Sequence, residues 1–286
     1  MNLRLTFKNV CVAGLGQIGL PTAEYIKNKG LRVWGYDIAE EAIVKAKSKG
    51  IIATTDFRKL PHDIDVYVIC VSTTLSDNKE PDLSAVFDVC EKIAESNNAS
   101  SLISIESTII PGTTRKIFRD IFDGNVHLVH VPHRYWSGDP IRYGVRQLRI
   151  IGALNDESLK IGLTFYKNVL DIPLHVVSSV EIAELCKIAE NAYRYTCIAF
   201  AEELRMICEE LGLDFGEVRE ACNTKWNVNI LEARDGIGGH CLPKDTYYLI
   251  ALTKYNTLLK AATSVDRQYR EWLKHRGKEP KSAPLS

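Results

Sequence analysis

Net charge, a membrane-length apolar run and closely paired cysteines are all missing from this sequence. Its 36 Lys and Arg residues balance 36 Asp and Glu residues. No whole-protein field therefore attracts nucleic acid or an anionic membrane, and a small soluble partner is favoured. No stretch approaches the roughly 20 apolar residues that span a bilayer. The opening MNLRLTFKNVCVAG passes straight into a strand pattern without a signal-peptide cleavage site. None of the eight cysteines forms a C-x-x-C pair, which argues against a zinc ribbon or thioredoxin-type centre and fits reduced thiols in the cytoplasm. Internal repeats and low-complexity segments are absent as well.

What remains is a globular composition, 286 residues with 45% hydrophobic and 25% charged, able to build a sizeable core. Seven short apolar runs, at 10–14, 31–37, 65–72, 101–108, 126–132, 148–154 and 174–179, alternate with helical patterns. That alternation predicts an α/β fold, a Rossmann-like, doubly wound and largely parallel sheet over residues 1–179. From 180 to 286 the pattern is helical only, predicting an all-helical domain with a long central helix that ends at Gly212. Further helices are expected at 215–223, 245–256 and 257–274, followed by the polar KHRGKEPKSAPLS, read as a solvated end. Cys186, Cys197 and Cys208 recur every eleven residues, about three helical turns, and are expected on one buried helix face.

Gly14-Leu15-Gly16-Gln17-Ile18-Gly19 follows the first strand and opens a helix with Pro21 near its first turn. In that context the first glycine permits a tight turn, the second admits a pyrophosphate to the backbone, and the third packs helix on strand. Asp37 ends the second strand, where a carboxylate accepts from both ribose hydroxyls and disfavours a 2′-phosphate. The predicted cofactor is NAD.

Cys241 lies in GIGGHCLPKD, among Gly236, Gly238 and Gly239 and close to Lys244 and Asp245. A cysteine in such a loop reads as an exposed nucleophile, since the thiolate is the reactive form. Lys187 and Asn191 are four residues apart on the long helix and can face one place. Thr108 ends a strand before IIPGTT, where a doubly wound sheet borders its ligand.

Taken in order, VAGLGQIGLP, DLSAV, ESTIIPGTT, AELCKIAENAYR and GIGGHCLPKD resemble the UDP-glucose/GDP-mannose dehydrogenase family of NAD-dependent nucleotide-sugar dehydrogenases. NTKWNVNILEARDGIGGHC is most similar to its UDP-N-acetylmannosamine branch, and the likeness runs from about residue 8 to 266. The resemblance implies oxidation of a sugar C6 alcohol to a carboxylate in two NAD-dependent steps that feed polysaccharide biosynthesis. Cys241 would add to the intermediate aldehyde, Lys187 stabilise the oxyanion, and Asn191 orient the reacting oxygen or a water. Thr108 would hold a water or the cofactor, Thr73 would border the cofactor, Asp245 would assist proton transfer, and Lys244 would lie near the cofactor phosphates. A homodimer through the helix at 180–212 is implied too.

The chain departs from the family pattern in three places. Pro132-His133-Arg134 stands where the family carries Pro-Glu-Arg or Pro-Glu-Phe, leaving His133 as a candidate general base in place of the glutamate. Trp226-Asn227-Val228 replaces a Pro-Arg-Val that contacts the sugar nucleotide, and CVSTT replaces Cys-Val-Pro-Thr-Pro. The family's further C-terminal α/β domain has no counterpart in this sequence. These departures keep two other readings open: a two-electron dehydrogenase of the β-hydroxyacid group, and an NAD-binding, catalytically impaired partner subunit.

Overall fold

The computed structural model describes residues 7–96 and 101–278, so most of the polar tail lies outside the described residues. The first elements are β1 (Asn9–Ala13), α1 (Gly19–Asn28), β2 (Arg32–Tyr36), α2 (Glu40–Ser48), β3 (Ile52–Thr54) and β4 (Val66–Ile69). A small pair, β5 (Thr74–Leu75) and β6 (Pro81–Asp82), precedes α3 (Ser84–Glu95), β7 (Leu102–Ile105), α4 (Thr113–Asp120) and β8 (His127–His130). Then come β9 (Arg149–Ala153), α5 (Asp156–Leu163), a π-helical turn at Thr164–Val169 and β10 (Leu174–Val176). Four helices follow: α6 (Val180–Glu210), α7 (Phe215–Asn223), α8 (Cys241–Ala251) and α9 (Thr257–Lys274).

Eight strands form one sheet in the order β10-β9-β8-β7-β4-β1-β2-β3. Within this sheet the neighbouring strands run parallel except β8 with β9, as the alternating pattern predicts. All of β1 is buried: Val10 and Val12 pack into one apolar layer, Cys11 and Ala13 into the other. A strand covered on both faces must be apolar at every position, and NVCVA nearly is. The strand order reverses at β1 and β4, where ligands of such sheets bind beyond the carboxyl ends.

By its contacts the chain divides into two units, Met1–Thr73 with Asp82–Lys187, and Thr74–Pro81 with Ile188–Ser286. In the second, α6 stops as expected. Gly212 takes φ +68°, and the Leu213 N–H donates to the Cys208 carbonyl at 2.8 Å, closing a Schellman turn. Of the three cysteines spaced along α6, only Cys208 is buried, while Cys186 and Cys197 are half-buried. The shared face is real, but it is not core along its whole length. Cys241 is also placed differently from expectation: it is the first residue of α8, not a loop residue.

Candidate functional site

In the first unit the glycine fingerprint turns sharply against the end of β4. Gly14 has φ +87°, and a Cβ there would lie 2.6 Å from the Cys70 carbonyl oxygen; one on Gly19 would lie 1.7 Å from the Gly14 oxygen. Both glycines are sterically required, whereas a Cβ on Gly16 would meet nothing within 4 Å. That open space is where a pyrophosphate fits. Ile18 supplies no side-chain cap to α1, so the helix N-terminus is free to face an anion. Asp37 accepts from Leu15 N at 2.6 Å with Oδ2 and from Ala39 N at 2.9 Å with Oδ1. Each oxygen keeps acceptor capacity for a ribose hydroxyl, and Arg32 is exposed earlier in the strand. The residues fit NAD. Gln17 reaches Ser137 Oγ at 3.0 Å, and the buried Thr73 hydroxyl donates to the Thr108 carbonyl at 2.9 Å. Strand β7 stops at Ile105, three residues before Thr108.

Sequence reasoning passes over Glu184, which organises the turn after Thr108. Fully buried on α6, it accepts from Gly112 N (2.7 Å), Thr114 N (2.8 Å) and Thr114 Oγ1 (2.6 Å). It thereby caps α4, whose own N-cap Gly112 is left-handed and bears no side chain. Burial pushes its carboxyl up, and those three donors oppose the rise. The half-buried Lys187 follows one turn later on the same helix; its spacing from Glu184 was the available signal.

His133 is 5% exposed and belongs to a buried network. Its Nε2 lies 2.6 Å from Glu106 Oε2 and 2.9 Å from Thr22 Oγ1, whose own proton goes to the Ile18 carbonyl. Nε2 therefore carries the hydrogen and donates to both. Glu106 Oε1 also forms an ion pair with Arg149 Nη1 at 2.9 Å and accepts from Tyr166 OH at 2.5 Å, and Tyr166 OH meets Ser104 Oγ at 2.7 Å. Burial pushes the Glu106 carboxyl up, but Arg149, His133 and Tyr166 outweigh it and hold it at about 2. Burial, then the Arg149 charge, lowers His133 to about 4, so its contact with Glu106 is a hydrogen bond of a neutral ring. His130, fully buried at the end of β8, is lowered by burial to about 3. Lys187 also disfavours the protonated forms of both imidazoles. A buried, engaged and neutral His133 is poorly placed to take a proton from water; its geometry is that of a strut. The signal was Arg149, a charge inside an otherwise apolar strand.

The second unit holds the thiol. Cys241 is exposed at the start of α8. One turn on, Asp245 is 1% exposed, its Oδ2 receiving the Asn191 amide and its Oδ1 lying 2.7 Å from Lys244 Nζ. The Lys244 ammonium also sits 4.2 Å over the Tyr248 ring, and Tyr248 OH donates to the Thr74 carbonyl at 2.7 Å. Asn191, Asp245 and Lys244 are thus brought together, with Lys244 committed within its own unit. Trp226 is 92% exposed on a turn that Asn223 closes from both ends, accepting from Ile230 N at 2.7 Å and donating to Ile230 O at 3.1 Å.

The model of the NAD binding domain of the UDP-glucose/GDP-mannose dehydrogenase family matches residues 45–170, and that of its central domain matches 181–268. The chain belongs to this family. Its first unit is accordingly an NAD-binding domain of that lineage. The chain is 33% identical over 279 residues to the UDP-N-acetyl-D-mannosamine dehydrogenase of Methanococcus vannielii, covering 91% of this chain and 65% of that relative. It is 30% identical over 297 residues to an NDP-N-acetyl-D-galactosaminuronic acid dehydrogenase of Ralstonia nicotianae, covering 92% and 69%. The solved UDP-D-ManNAc dehydrogenase of Pyrococcus horikoshii superposes with a TM-score of 0.83 at 30% identity, over 95% of this chain and 73% of that one. The chain spans about 65% of the length of the methanococcal relatives it matches. Among the described residues no helix is long and apolar enough to cross a membrane.

Proposed function

We propose that this chain oxidises the C6 alcohol of a UDP-N-acetylhexosamine, or of a closely related UDP-hexose, to the carboxylate in two steps. The observation that carries the reading is the exposed Cys241 thiol at the head of α8, beside the Asn191–Asp245–Lys244 cluster, in a chain that also holds the NAD cradle. Relatives named for UDP-N-acetyl-D-mannosamine support the sugar class.

NAD+ bound at Gly14–Gly19 and Asp37 supplies the hydride acceptor, twice for each sugar. In the first step the alcohol loses a hydride and a proton and becomes an aldehyde. The Cys241 sulfur then bonds to the aldehyde carbon, giving a thiohemiacetal whose loss of a second hydride and proton yields a thioester. Water breaks the carbon–sulfur bond, leaving the carboxylate and regenerating the thiol. Lys187 stabilises the negative oxygen of these adducts, and Thr108 holds a water. Asn191 orients the reacting oxygen. Asp245, gripping Asn191 with one oxygen and Lys244 with the other, fixes that amide and assists proton transfer. Glu106, Arg149 and His133 act by holding the end of β7 and the first helix in place.

The eight free cysteines support a cytoplasmic location. Tyr193, Phe200 and Ile207, 74%, 55% and 46% exposed, line one stripe of α6, and Leu211, 65% exposed, follows its last residue, which supports association with a second copy through that helix.

The Cys241→Ser variant tests the mechanism. It should retain NAD+ binding by fluorescence or calorimetry while carboxylate formation from the UDP-sugar falls at least about a thousandfold. Wild-type acid production by the variant would overturn the role of the thiol.

A further inference from the structure

The short run that leads into Cys241 is held from one side by an ion pair on α9. Ile237 is its fixed point, with the side chain 2% exposed and packed with Tyr195, Ala199 and Ala262. The Ile237 N–H donates to Asp266 Oδ1 at 2.8 Å, and its carbonyl accepts from Arg270 Nη2 at 2.6 Å. Both polar groups of one buried peptide residue are thus taken by two side chains one helical turn apart. Those side chains are themselves locked: Arg270 Nε donates to Asp266 at 3.1 and 3.0 Å, and Tyr195 OH donates to Asp266 Oδ2 at 3.2 Å. Gly236 completes the fit, since at φ +88° a Cβ would stand 3.0 Å from the guanidinium carbon of Arg270. Just upstream, Arg205 donates to the Ala233 carbonyl at 2.7 Å and Tyr269 OH to the Arg234 carbonyl at 2.7 Å. After Ile237 come Gly238, Gly239 at φ +85° and His240, and then the thiol.

A nucleophile on a glycine-rich lead is useful only if the lead has a rigid anchor, because a misplacement of about 1 Å can cost a hundredfold in rate. We propose that Asp266 and Arg270 are positioning residues for Cys241, gripping the Ile237 peptide so that α8 begins at one fixed place. This rests on the thiol chemistry of the preceding section, but the grip itself can be measured without a substrate. Three of the elements involved, α6, α9 and the loop, are far apart in sequence, so the clamp is a tertiary device rather than a local turn.

The test compares Asp266→Ala, Arg270→Ala, Gly236→Ala and the conservative Asp266→Asn with the whole chain, after thermal melting has shown each to fold. Amide hydrogen exchange at Ile237 should accelerate at least tenfold in the two clamp alanines, with other protected amides of α8 and α9 changed less. kcat for the UDP-sugar should fall tenfold or more while KM for NAD+ and for the sugar stays within about twofold. Asp266→Asn, which keeps an oxygen for the Ile237 N–H, should recover part of that loss, and Gly236→Ala should reproduce it from the loop side. Unchanged exchange at Ile237 overturns the clamp, and lost protection with wild-type kcat overturns its role in positioning. If the wild type turns over no UDP-sugar, the functional reading fails on its own. The rate of Cys241 labelling by iodoacetamide then decides: a shift of at least threefold in the clamp variants supports positioning, and an unchanged rate overturns it.

Discussion

Two buried glutamates, one in each unit, show how partners set what burial does. Glu106, 4% exposed, is ringed by Arg149, His133, Tyr166 and Cys70, and its carboxyl is held at about 2. Glu202 on α6 is 0% exposed, and neither of its carboxyl oxygens has a hydrogen-bond partner among the described residues. Burial, with the Asp266 charge, pushes it up to about 8 against the opposing pull of Arg270. The same side chain is therefore an anion in one core and a neutral acid in the other near neutral pH. Desolvation penalises both; only Glu106 has a cation in contact to offset it.

The sharpest break of this contrast is Arg149→Met, which strands the Glu106 anion. It should destabilise the first unit by on the order of 3–5 kcal/mol in urea denaturation, because a buried charge left unpaired costs more than the pair contributed. Glu202→Gln should act in the opposite direction. Because folding favours the protonated Glu202, its contribution is full below the usual carboxylate range and is lost as pH rises through about 8. Glu106 is the reverse, contributing above the usual range and losing stability as pH falls toward 2. Melting curves from pH 5 to 9 should show Glu202→Gln gaining on the order of 2 kcal/mol at the alkaline end and nothing comparable at pH 5.

Glu184 sharpens the comparison as an intermediate case, buried on neutral donors without a cation in contact. Glu184→Gln should cost about 1–2 kcal/mol, since one donor then faces an NH2 group, and should lower kcat through the Thr108 turn more than it raises the KM for NAD+. The smallest effect belongs to His133. Neutral down to about pH 4, it should contribute no limb near pH 6.5 to the kcat profile, and His133→Gln should cost about 1 kcal/mol of stability.

What could be read from the sequence followed the same divide between local pattern and tertiary partner. The seven apolar runs, the two required glycines at 14 and 19, Asp37 and the end of α6 are all written locally, as periodicity, turn chemistry or a stop signal. Strand β3, only three residues long, and the β5–β6 pair offer too few positions for a period-2 pattern to emerge. The start of α8 at Cys241 was hidden because Gly238 and Gly239 extend the loop signature up to the thiol, and Pro243 sits comfortably in a helix's first turn. His133 reads as a candidate base because it stands where the family pattern carries a glutamate. Its neighbours in space, Glu106 and Thr22, come from the residue after β7 and from α1 and leave no periodic trace. Asp266 and Arg270 are one turn apart on an amphipathic helix, a spacing that reads as a surface ion pair until Ile237 is seen between them.

Counting the NADH formed per UDP-N-acetylmannosamine consumed shows whether an aldehyde made in the first step is carried to the acid on Cys241. Two are expected for the wild-type chain, with carboxylate as product. One NADH per sugar, with the aldehyde or another two-electron product accumulating, would contradict it.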